Sequence, residues 1–200
     1  MRKVLSVALA MVAAAALIVA QDKGKGGGGK GGAKGGGIVL PPMIKMTVAG
    51  TQDLGAFPAA NAGQGKSPAI SWSGAPAGTV AFALLFHDPD PAGPLLQGKA
   101  TADVTHWLVY NIPGTVTSLP ANFPAGDQPD GTKQGGNITG QPTYMGPGPP
   151  AGHGPHHYTF ELWALSAKIE PTANTRDAIM AAMDGKVLAK GYMVTTFENK

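Results

Sequence analysis

Cysteine is absent from the 200 residues. That excludes a disulfide framework as the support of the fold, and it excludes a lipid anchor on a cysteine. Charge is also scarce, at 15 Lys and Arg, 12 Asp and Glu and five His. Its distribution excludes more than its amount does. Residues 1–37 hold six of the basic side chains and one of the acids. The remaining 163 residues carry nine basic against eleven acidic groups, a net charge of −2 with His neutral. The sequence pI near 9.1 therefore belongs to the N-terminal segment. Nucleic-acid binding by the rest of the chain loses its electrostatic basis. Long apolar runs are missing beyond the N-terminus too, because Gly and Pro interrupt the chain every few residues.

The N-terminus has a distinct organisation. Arg2 and Lys3 precede an apolar stretch from Val4 to Ala20, the pattern of a secretory signal peptide over residues 1–20. Its length, about 17 residues, also approaches the lower limit for a spanning helix, so a retained membrane anchor stays open. Residues 21–37 form a Gly/Lys-rich tract with nothing to bury, expected to act as a flexible linker. Gly24-Lys25 and Gly29-Lys30 lack the Ser or Thr that a phosphate loop requires. The domain is placed at 38–200, long enough to bury a core without disulfides.

Within that domain, short apolar stretches over Met43–Val48, Ala69–Trp72, Val80–Phe86, Trp107–Ile112, Tyr158–Leu165 and Gly191–Phe197 read as strands. Turn sequences such as Gly74-Ala-Pro-Ala-Gly78 and Gly146-Pro-Gly-Pro-Pro150 separate them. Short strands between such turns argue for a mainly β, two-sheet antiparallel sandwich. One segment reads as helix. Thr175 caps it, Asp177 suits its first turn, and Ile179, Met180, Met183 and Val187 recur near helical spacing. Gly185 is expected to end it, with a second short helical turn through Lys190. Leu119 to Pro142 is expected to be an exposed, mobile loop.

The few titratable groups concentrate at strand ends, where loops meet a rigid scaffold. Asp88 and Asp90 follow the strand Val80–Phe86, His106 opens the next, and His153, His156 and His157 stand before Tyr158. Taken singly, an Asp-Pro-Asp segment is often a turn and a His at a strand start is often structural. Together they allow two arrangements. His106 and His156 donate to an anion such as a phosphate monoester, with Asp88 or Asp90 setting the tautomer of one ring. Alternatively, the carboxylates and imidazoles hold a divalent metal, although no i, i+4 His pair on a helix is present. Ser67, Ser71 and Ser73 lack a Gly-x-Ser-x-Gly elbow, so no nucleophile is assigned.

The same residues resemble the phosphatidylethanolamine-binding protein family. Ser67-Pro-Ala-Ile-Ser-Trp-Ser-Gly-Ala-Pro-Ala-Gly-Thr79 is similar to its Ser-Pro-x-Leu-x-Trp-x-Gly-x-Pro-x-Gly-Thr segment. Phe82-Ala-Leu-Leu-Phe-His-Asp-Pro-Asp90, His106-Trp107, Asn111-Ile-Pro113 and Gly146-Pro-Gly-Pro-Pro150 with His156-His-Tyr158 follow in the family's order. The bacterial, Raf-kinase-inhibitor-like branch is the nearest in length. The resemblance implies a two-sheet fold with short helices near the C-terminus and a small cavity for phosphate-type anions or phospholipid headgroups. Carried over by position, Asp88, His106, Gly148, Pro150, His156 and Tyr158 line or support that cavity. Asp90 braces its loop, and Trp72 and Trp107 belong to the core.

Two departures stand out. Ala92 replaces a Pro of the family pattern, and His157 replaces an Arg whose fork of donors a His lacks. The expectation is then a secreted or periplasmic binding protein, with no cofactor, no bound metal and no catalytic residue. Its partner is a small anion, phosphate or phosphorylethanolamine-like, gripped more tightly as pH falls toward the ordinary His value of roughly 6.5. Membrane contact would come only through the leader or a headgroup. Inhibition of an extracytoplasmic hydrolase or kinase, a metal-assisted reaction and homodimerisation stay open as alternatives.

Overall fold

The structure is a computed structural model and describes residues 42–90 and 103–200. The leader at 1–20, the linker at 21–37 and the replacement at Ala92 lie outside the described residues.

Two sheets make the domain. The smaller has the order β1 (Lys45–Val48), β3 (Ile70–Ser73), β6 (Ser118–Leu119). The larger has the order β2 (Gly55–Ala56), β9 (Val187–Phe197), β8 (His156–Leu165), β4 (Ala81–Asp88), β5 (Val104–Pro113), β7 (Lys133–Gly135). All neighbours are antiparallel except β2 and β9.

The burial patterns explain the strand sequences. In β3, Ile70 and Trp72 are buried while Ser71 and Ser73 face out, the alternation of a strand with one wet face. In β4 all eight residues are buried, because its two faces meet two separate cores. Phe82, Leu84 and Phe86 join Trp72, Trp107, Phe160 and Leu162 between the sheets. Ala83 and Leu85 join Leu108, Tyr110, Trp163 and Ile179 on the opposite face. Full burial of each such apolar side chain contributes about 1.5–3 kcal/mol. The stack of Phe86 on Phe160, with centroids 4.1 Å apart, fixes the end of β4 from which the polar residues project.

One α-helix is present among the described residues, α1 (Arg176–Ala182). Thr175 caps it by accepting from the Ala178 amide at 3.4 Å, with Asp177 in its first turn. The expected second turn through Lys190 is not formed. Residues from Val187 onward instead pair with β8, Val187 opposite Leu165 and Ala189 opposite Ala164. Gly191 also lets the chain pass close to Ile44, where a Cβ would stand 2.3 Å from the Ile44 carbonyl oxygen.

The segment from Leu119 to Pro142 departs from expectation only in part: residues 120–130 are largely exposed, as expected, while Thr132, Gln134, Gly135 and Asn137 are buried. Gln134 of β7 accepts from the Trp107 indole at 2.7 Å and donates to the carbonyls of Pro124 and Gly126. Gly135 lies against Leu108 and Ile179, leaving no space for a side chain. A polar composition concealed a segment whose amide groups are satisfied internally.

Candidate functional site

The end of β4 and the start of β5 carry an irregularity that shapes the site. Phe86 pairs with Trp107 and His87 pairs with Thr105, so β5 has one extra residue there, His106. A bulge of this kind re-aims a side chain at the edge of a sheet. His106 is thereby set against Phe86 and Tyr158, at centroid distances of 5.4 and 5.3 Å. Its Nδ1 lies 3.0 Å from the Met145 carbonyl oxygen. A carbonyl only accepts, so Nδ1 carries the proton and Nε2 of the neutral ring is left as an acceptor. Burial holds the His106 pKa below its ordinary value, against the opposing pull of the Met145 carbonyl and the Asp88 carboxylate.

The first three residues of β8 clasp the Asp-Pro-Asp turn. His156 Nδ1 donates to Asp88 Oδ2 at 2.8 Å, and Asp88 Oδ1 accepts from the Asp90 amide at 2.8 Å. His157 donates to Asp90 Oδ2 twice, from its amide at 2.7 Å and from Nδ1 at 2.8 Å. Burial opposes ionisation of Asp90, yet these two bonds outweigh it and hold its pKa below the usual value. His157, where the family pattern has Arg, thus holds the turn through one ring nitrogen and its backbone amide.

Tyr158, the third residue, is fully buried, and among the described residues its hydroxyl has no hydrogen-bond partner of good geometry. Burial, and then the Asp88 carboxylate beside it, push that hydroxyl far above its ordinary pKa, so it remains a donor.

These elements enclose a cavity of about 210 Å³ lined by Asp88, His106, Tyr158, Gly148, Gln64 and Pro149, among others. Asp88, His106, Gly148 and Tyr158 therefore meet as expected. His156 and Pro150 do not line it. His156 stands behind Asp88, and Pro150 accepts from the His153 amide in an exposed turn. Pro149 takes the place at the wall. The expected donation by two imidazoles is not available from neutral side chains, since each Nδ1 proton is already committed.

Gly63, Gln64 and Gly146 were not legible as site residues. They build the wall through backbone: Gly146 donates to the Gly63 carbonyl at 3.1 Å and Gly63 to that of Pro147 at 2.7 Å. A Cβ on Gly146 would stand 2.4 Å from the Asn61 carbonyl oxygen. Glycines in turns were the sole available signal. Two larger, shallower depressions of about 490 Å³ lie elsewhere, and neither gathers His side chains. Among the described residues no group of three or more His, Asp or Glu is placed to hold a metal ion.

Comparison with known proteins identifies the arrangement. The sequence profile of the phosphatidylethanolamine-binding protein family matches residues 44–198. The chain is 38% identical to a UPF0098 protein of Aquifex aeolicus over 140 residues, 68% of this chain and 76% of the relative. It is 40% identical to the UPF0098 protein YbcL of Escherichia coli over 144 residues, 69% of this chain and 74% of that one. The crystal structure of E. coli YbcL superposes with a TM-score of 0.66 at 28% identity, covering 80% of this chain and all of YbcL. That of the homologue CT736 from Chlamydia trachomatis gives 0.69 at 26% identity, covering 79% of this chain and 99% of CT736. The chain belongs to the phosphatidylethanolamine-binding protein family.

Proposed function

We propose that this family member is an exported, non-catalytic binding protein whose cavity between Asp88, His106, Gly148 and Tyr158 takes a phosphoryl group, free or on a phospholipid headgroup. The observation that carries this reading is the Tyr158 hydroxyl. A buried donor without a partner costs roughly 1–3 kcal/mol unless something completes it, and this one lies in the wall of a cavity. Gln64 of the facing loop also lines the cavity. The cavity is of a size for one small oxyanion and is held rigid by the Asp88–His156 pair and the Phe86–Phe160 stack. Export rests on the pattern of residues 1–20, a short basic start followed by an apolar stretch.

Calorimetric titration of the full chain with phosphorylethanolamine tests the reading. Saturable one-site binding is expected in the native protein and its loss in Gly148→Leu. A Cβ at Gly148 meets nothing within 4 Å, so the larger side chain fills open space without disturbing the fold. The absence of saturable binding to the native chain, or undiminished binding to folded Gly148→Leu, would overturn it.

A further inference from the structure

Three separate stretches of chain build the depression of about 490 Å³ that includes Tyr110. Strands β5 and β7 supply Tyr110 and Lys133, which are register partners and so stand on one face of the sheet. The loop before β7 supplies Asp127, and the segment before α1 supplies Glu170. Hydrogen bonds of the neighbouring residues hold these stretches together. Asn111, next to Tyr110, donates to the Ile169 carbonyl at 2.9 Å and accepts from the Ile169 amide at 2.8 Å. Ile169 is one residue before Glu170. Gln134, next to Lys133, donates to the Gly126 carbonyl at 2.8 Å, one residue before Asp127.

Charges of both signs thus border one depression from fixed positions. Among the described residues Asp127, Glu170 and Lys133 enter no ion pair, with one another or with any other group. Exposed charges alone would be ordinary surface, but Tyr110 is not. It is only 7% exposed, yet among the described residues its hydroxyl forms no hydrogen bond and is not sealed from solvent. The buried ring therefore presents its polar end to the depression it lines. Burial first, and then the carboxylates of Asp127 and Glu170, raise the pKa of that hydroxyl. Both acids are its near neighbours, and it stays protonated with lone pairs to accept.

An ammonium group has three protons to place, and Asp127, Glu170 and the Tyr110 hydroxyl offer three acceptors. Lys133 is the donor left for an anionic group. Pro142, Pro171 and Ala173 form an apolar part of the same wall, and the volume lies in the range of small-molecule sites. We propose that this depression is a second binding site, for an α-amino acid with an aliphatic side chain. Its ammonium group is held by Asp127, Glu170 and Tyr110, and its carboxylate by Lys133. An amine without the carboxylate leaves Lys133 unmatched, and an acid without the ammonium group meets two like charges. The site is independent of the phosphoryl reading of the His106 cavity.

The test follows backbone amide NMR shifts of the full chain during titration with L-leucine at pH 7. About 0.15 M NaCl screens the Lys-bearing linker. Two analogues divide the ligand: 3-methylbutylamine lacks the carboxylate and 4-methylpentanoate lacks the ammonium group. Saturable shifts at the amides of Asp127, Lys133 and Glu170 are expected with L-leucine, and either analogue should bind roughly ten-fold or more weakly. The Glu170 and Lys133 side chains bond nothing among the described residues, so Glu170→Gln and Lys133→Gln keep the fold. Glu170→Gln should weaken both L-leucine and 3-methylbutylamine roughly ten-fold, and Lys133→Gln should weaken L-leucine alone. Absence of saturable shifts with L-leucine, or shifts confined to residues around His106, would overturn the site. An analogue that binds as tightly as L-leucine would overturn the choice of ligand. Undiminished L-leucine affinity in either folded variant would overturn the assigned roles.

Discussion

His87 and Asp88 are adjacent in β4 and face opposite sides of the sheet, and their surroundings are opposite in kind. His87 is placed between two carboxylates, Nδ1 2.7 Å from Asp103 and Nε2 3.0 Å from Glu161. Arg176 pairs with Asp103 at 3.0 Å, and Lys190 pairs with Glu161. Every member of this chain of charges has its partner. Asp88 is equally buried, yet it shares its cavity with a hydroxyl that has none among the described residues. Completed polar networks stabilise a fold; incomplete ones that border a cavity are where a ligand gains most. The contrast fits a structural role for His87 and the proposed binding role for Asp88, although sequence gives both the same strand-end position.

The largest effect is expected from His87→Ala. It removes a buried imidazole from between two carboxylates that keep only Arg176 and Lys190 as partners, and should lower stability by about 1–3 kcal/mol, read from the urea midpoint, while phosphorylethanolamine affinity is retained. Acid should weaken the same network. His87 first, with Lys190 assisting and burial opposing, lowers the Glu161 pKa from its ordinary value to about 2. A carboxylate depressed in the folded state stabilises above its unfolded value and loses that contribution as pH falls from about 4.5 toward 2. Thermal melts from pH 6 down to 2 should therefore fall less steeply for Glu161→Gln than for the native chain.

At the cavity the balance is reversed. Tyr158→Phe removes a hydroxyl without a partner of good geometry among the described residues, so stability should change by less than about 1 kcal/mol, while affinity falls roughly ten-fold. The smallest effect belongs to His157→Ala. The side chains of His157 and Asp90 are 55% and 43% exposed, and the His157 amide keeps its bond to Asp90. A loss below about 1 kcal/mol is expected, measured by the same denaturation.

Most of the fold was readable because apolar stretches and turns followed the strand pattern. The uninterrupted run Val80–Phe86 marked a buried strand, and from Ala81 onward it is buried on both faces. Where reading failed, long-range pairing decided. Val187–Lys190 looks helical alone but lies opposite β8, and the polar segment before Pro142 is closed by Gln134. At the site, residue types pointed to Asp88 and His106, since few polar groups were available to choose from, and the family resemblance added Gly148 and Tyr158. They did not tell that the His106 bulge turns one nitrogen to a carbonyl, that His156 stands behind Asp88, or that glycines at 63 and 146 form a wall. Those are consequences of backbone geometry, which leaves little trace in residue identity.

Imidazole nitrogen NMR of the full chain during titration with phosphorylethanolamine tests the division most directly. The Nε2 resonance of His106 should move with saturation, that of His156 should follow through Asp88, and both His87 nitrogens should stay in place. Perturbation of His87 with His106 unmoved would contradict the assignment of binding to the Asp88 face.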